Sequence, residues 1–91
     1  MAAAAPESDV IARALDCLAI EDWPAAHALV QELDSPLAYW VHALVHKIEG
    51  DAHNSRYWYQ KAGATAMGSS ARPIKAQIAE IRQLLCTAER S

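Results

Sequence analysis

Residues 36–62 read Pro36-Leu-Ala-Tyr-Trp-Val-His-Ala-Leu-Val-His-Lys-Ile-Glu-Gly50-Asp51-Ala-His-Asn-Ser-Arg-Tyr-Trp-Tyr-Gln-Lys-Ala62. Two helices and one turn are written into this stretch. Ser35 can cap a helix, and a proline at the next position is welcome in a first turn, where its missing N–H costs nothing. Gly50 is free to take positive φ and end that helix. Asp51 caps the next one, and Gly63 stands just past its end. The stretch therefore predicts a helical hairpin over 36–62, with helices at 36–49 and 52–62.

The same logic extends outward. Upstream, a helix over 9–20 carries the stripe Val10, Ala14, Cys17 and Leu18, with Ser8 or Asp9 as its cap. Pro24 opens a second helix running to Leu33, so residues 9–34 form a first hairpin. Residues 1–8 are expected to be a flexible N-terminal tail, lacking the basic start and apolar run of a signal peptide. Downstream, residues 63–71 are a loop of Gly, Ala and Ser. A fifth helix over 72–90 presents Ile74, Ile78, Ile81, Leu85 and Ala88 on one side. That stripe is expected to cover the open side of the fourth helix, leaving Arg72, Lys75, Glu80 and Arg82 to face water.

Composition agrees with an all-α chain of about five helices. Of 91 residues 20 are Ala, Phe is absent and Thr occurs only at Thr65 and Thr87, which is a helix-forming alphabet. Residues 9–91 make one small domain. A net charge of −3 argues against nucleic acid, whose phosphates need clustered Lys and Arg. The charge is uneven, with seven acids against Arg13 alone in residues 1–34, a local −6. No run approaches the roughly 20 apolar residues of a membrane span. Cys17 and Cys86 have no CxxC neighbour, and read as small buried hydrophobes of a reducing, cytoplasmic protein.

Sliding the sequence along itself by 29 residues aligns Ala14-Leu15 with Ala43-Leu44, Asp22 with Asp51 and Gln31 with Gln60. The two hairpins thus read as two copies of one unit. Within the second copy, Tyr39, His42-Ala43, His46, Gly50, Ser55, Tyr59 and Ala62 fall in an order that resembles the tetratricopeptide (TPR) repeat. The resemblance implies a TPR-like right-handed stack of two helical hairpins closed by a C-terminal capping helix, and a protein-binding role. The period of 29 is shorter than the 34 of that family, and a histidine fills the aromatic position at 46. The segment WxHAxxHxxEGDxxNxxYWY (Trp40 to Tyr59) is also similar to a family of short uncharacterised proteins, a resemblance that implies no activity.

All six aromatics and all four histidines lie between Trp23 and Tyr59. Any chemistry is therefore expected in that window. His42 and His46 stand four apart, so both imidazoles share a helix face, with Glu49 one turn on. Asp51, Asn54, Arg56, Tyr57 and Trp58 follow across the turn. Three readings are open. The histidines can be core residues, hydrogen-bonded as buried polar groups must be. They can serve a surface, with Trp40, His42, His46, Glu49, Asp51, Asn54, Arg56, Tyr57 and Trp58, that binds a protein or peptide, a second copy of the chain included. They can also be the centre of a metal site or a histidine-dependent enzyme, with zinc as the ion that two His at i and i+4 suit. The general-base Glu of HExxH is absent between them. The interaction module is the leading expectation, with no catalytic residue and no cofactor assigned.

Overall fold

The computed structural model of the chain describes residues 6–90, and the side chains of residues 6–87. Its five helices are α1 (Glu7–Ala19), α2 (Trp23–Val30), α3 (Pro36–Glu49), α4 (Ala52–Ala62) and α5 (Ile74–Arg90). Among the described residues there is no strand, as the all-α reading requires. The second hairpin forms with the bounds expected. Ser35 Oγ accepts from the Ala38 amide at 3.2 Å, Asp51 Oδ1 accepts from the Asn54 amide at 3.2 Å, and Gly50 takes φ 93°.

The first hairpin's turn is built like the second. The Asp22 amide donates to Cys17 O and the Asp51 amide to His46 O, both at 2.8 Å and 29 residues apart. Asp22 Oδ1 accepts from Ala25, as Asp51 accepts from Asn54. At the position of Gly50 this turn holds Glu21, with φ 60°. A non-glycine residue there carries strain of roughly 1 kcal/mol or more.

Outside the second hairpin the helix boundaries differ from the sequence reading by up to three residues. The first helix starts at Glu7, so Glu7 and Ser8 are helical, and residues 1–5 of the expected tail lie outside the described residues. Neither Ser8 nor Asp9 caps it. Pro6 is the N-cap, its carbonyl accepting the Asp9 and Val10 amides, and Glu7 and Asp9 sit where the positive helix end favours them. The second helix ends at Val30 and not Leu33, because Glu32 and Asp34 would place negative charge at a negative helix end. The expected loop 63–71 contains two short 3₁₀ turns, Gly63–Ala66 and Ser69–Ala71.

α3 is the central element. Ala38 and every residue from Trp40 to Val45 are buried. Ile11, Leu15 and Leu18 of α1, Ala26 and Val30 of α2, and Ile78, Ile81 and Leu85 of α5 complete the core. A helix apolar on all sides belongs in the middle of a bundle. Small residues bring α4 close to it, where Ser55 Oγ donates to Ala43 O at 2.9 Å.

α5 runs beside α1 and not over α4, which corrects the expected placement of the capping helix. α4 buries only Ser55 and Ala62, so it has no apolar stripe for α5 to cover, whereas α1 offers Ile11, Leu15 and Leu18. An Arg82–Asp16 ion pair at 2.8 Å spans the outer edge of this contact. Ile78, Ile81 and Leu85 are buried as the stripe requires. Ala88's side chain lies outside the described residues. Cys86 is exposed and only Cys17 is partly buried, so the reading of two buried cysteines fails for the first of these, and both are free. Among the described residues no helix is long and apolar enough to cross a membrane.

Candidate metal centre

His42 and His46 sit on successive turns of α3, and their rings stack with centroids 5.0 Å apart. The first residue that sequence reasoning missed is His27 of α2. Its ring meets His42 edge-on at 4.7 Å and His46 at 5.5 Å. One ring nitrogen from each of the three histidines lies within 4.8 Å of the others. The signal for His27 was available in the hairpin geometry. His27 and His42 are equidistant from the Asp34–Ser35 link, and residues equidistant from a helical turn come to face each other.

Trp58 of α4 covers the other face of His42, the rings 3.8 Å apart and inclined by 10°. Tyr57 stands edge-on to Trp58, and Lys61 Nζ lies 4.8 Å from the Tyr39 ring centre and 4.9 Å from that of Trp58. Burial is the main cause that lowers the His42 pKa from 6.5 to about 4; the charges that His27, His46 and Lys61 carry when protonated add to it. At neutral pH His42 is therefore an uncharged imidazole, the form that binds metals.

His46 stacks on the face of His42 opposite Trp58. Its Nδ1 is enclosed, with Glu49 Oε2 3.3 Å away, yet it makes no hydrogen bond. It is the one buried side-chain nitrogen or oxygen without a hydrogen bond among the described residues, and the Glu49 carboxylate is the acid it faces.

The other expected site residues are dispersed. Trp40 is fully buried, its Nε1 donating to Gln77 Oε1 at 3.0 Å, so it belongs to the core and has no surface for a partner. Asp51 and Asn54 hold each other at the start of α4, with Asn54 Nδ2 donating to Asp51 Oδ2 at 2.6 Å. The Asn54 amide, with that side-chain bond, lowers the Asp51 pKa. His46, Glu49 and Asp51 form a second, oxygen-rich trio, more exposed and with Asp51 already engaged in capping. Arg56 is exposed and lines a separate cleft, while Tyr57 is half exposed at the rim of the Trp58 stack. Compared with protein-family models, curated proteins and solved structures, the chain matches none.

Proposed function

We propose that this protein binds a divalent transition-metal ion, zinc foremost, through His27, His42 and His46. The observation that carries the reading is the convergence of three imidazoles from α2 and α3 with their donor atoms within 4.8 Å. Packing three basic rings together is unfavourable once any of them is protonated, and a shared cation turns that arrangement into a gain. Imidazole nitrogens suit zinc, copper and nickel, and three protein ligands leave a fourth position open. Bound there, the ion would supply Lewis acidity at that position. A zinc site with Zn–N near 2.1 Å needs donors roughly 3.4 Å apart. Binding would require the partly buried His27 and His46 side chains to rotate toward His42, which stacks on Trp58.

Calorimetric zinc titration of the chelator-stripped chain is expected to show one ion per chain. Zinc at a hundred times its Kd should add about 2.7 kcal/mol to stability. For a domain of this size that raises Tm by roughly 10–20 °C. His27→Ala, on the partly exposed face of α2, should keep its circular dichroism and lose at least about tenfold in affinity. No heat and no rise in Tm would remove the metal reading.

The half-exposed Tyr57 supports a second reading, a TPR-like interaction module of the cytoplasm. Tyr57, Trp58 and Tyr39 share one cation, Lys61. Aromatic anchors of this kind dominate protein interfaces, and a second copy is the simplest partner. Light scattering is expected to give twice the monomer mass at high concentration, reduced to one by Tyr57→Ser. A strict monomer throughout the concentration range would count against self-association.

A further inference from the structure

A second site lies between the C-terminal end of α3, the outer side of α4 and the Gly63–Ala71 connection, and none of the three clustered histidines lines it. The cleft has a volume of about 570 Å³. That falls in the range of small-molecule pockets. Its charged lining residues are Lys47 and Arg56, both cationic, and no carboxylate lines it, although the chain as a whole carries −3. Neither cation forms an ion pair among the described residues, whereas Arg72 and Arg82 each have an acid. Lys47 Nζ donates to Ser70 O at 2.7 Å, which anchors the ammonium over the cleft. Two of its three protons stay available for a ligand.

The rest of the lining mixes the apolar surface of Ala52, Tyr59, Ala66 and Met67 with the uncharged polar groups of Ser55, Gln60 and Ser70. Met67 is 78% exposed at the cleft, with no packing role to account for it. Tyr59 spends its hydroxyl on Gln77 Oε1 at 2.6 Å, which leaves its ring as the surface it presents. All three glycines of the chain border the cleft, and a Cβ added at any of them would meet nothing within 4 Å. The floor is therefore open main chain, where a flat ligand can approach closely.

We infer that this cleft binds a small organic anion: an apolar ring body against Met67 and Tyr59, with its acid group held by Lys47 and Arg56. Charge complementarity selects the acid, since two uncompensated donors of like sign favour an anion between them. The apolar surface that Met67 and Tyr59 add favours an organic anion over a simple inorganic ion.

The probe is 8-anilinonaphthalene-1-sulfonate, titrated into the full chain at low salt and followed by fluorescence. Saturable binding at one per chain is expected. Arg56→Gln and Lys47→Gln should each weaken it about tenfold with unchanged circular dichroism. Arg82→Gln, whose side chain faces Asp16, should leave it unchanged. The uncharged analogue N-phenyl-1-naphthylamine should bind at least about tenfold more weakly than the sulfonate. Equal affinity for the two probes, or wild-type affinity in both cleft variants, would overturn the inference. So would unsaturable binding.

Discussion

Trp40→Ala is expected to leave the domain close to unfolding. Trp40 is the largest fully buried side chain, at 0% exposure in the middle of α3. Its removal opens a cavity in the core, and truncations of this kind cost about 3–5 kcal/mol. The loss also reaches α5. Gln77, itself 0% exposed, accepts from both Trp40 Nε1 and Tyr59 Oη, and its Nε2 donates to Arg72 O at 2.7 Å. One amide thus ties three helices and the 3₁₀ connection together. A chain of this length has a total stability of roughly 5–14 kcal/mol, so the substitution removes about a fifth of it at the least and most of it at the low end of that range. Urea denaturation checks this, and Trp40→Phe separates the two contributions. The phenyl ring keeps most of the packing and loses the N–H, at about 1–2 kcal/mol. If Trp40→Ala shifts stability by less than about 1 kcal/mol, the tryptophan is not in the core.

What the residues disclosed in advance follows from the range of the forces involved. The ends of α3 and α4 were legible because they rest on local chemistry, namely a serine and an aspartate oxygen facing free amides and a glycine with positive φ. The end of α2 was less so, since nothing stops that helix except acids at its negative pole. The burial of the α5 stripe was legible from its period. Its partner was not, because periodicity says that a face is buried and never against what. The same limit explains Trp40. A helix apolar all round reads as strongly helical, but only the packed bundle assigns Trp40 to the core and Trp58 to the rim.

The histidine cluster sits between these cases. His42 and His46 were visible as an i, i+4 pair, while His27 is distant in sequence and needs the turn geometry to be found. His42 lies eight residues before Gly50 and Trp58 eight residues after it, and the two rings stack. The Asp34–Ser35 link places His27 opposite His42 by the same rule. Two turns read together with the i, i+4 spacing place all three neighbours of one imidazole. The sequence favours an interaction surface because it places Trp40 beside Tyr57 and Trp58 in one aromatic segment, too many large rings for so small a core to bury. With Trp40 in the core, the density of chemistry shifts to the three rings between α2 and α3.

Acid is expected to destabilise the metal-free chain well above the pH where carboxylates titrate. His42 takes a proton near pH 6.5 when unfolded and at about 4 when folded. The folded value is lower because the ring is buried beside His27 of α2, His46 of α3 and Lys61 of α4. Between those two values the unfolded chain binds the extra proton and the folded chain does not. Stability therefore rises with pH through this window, and the contribution is complete above about 6.5. It is lost as pH falls from about 6.5 toward 4, and this group removes nothing further below that. The shift corresponds to on the order of 3 kcal/mol, a large share of the stability of so small a domain. Urea unfolding in the presence of a chelator, at about pH 7.5, 5.5 and 4.5, measures the slope. His42→Gln should start less stable at the upper value, since it forfeits the stack on Trp58, and then decline less steeply. Parallel declines in the two proteins would mean that His42 is protonated as readily folded as unfolded. The enclosed, uncharged ring between Trp58 and the other two histidines would then be the wrong description of this site.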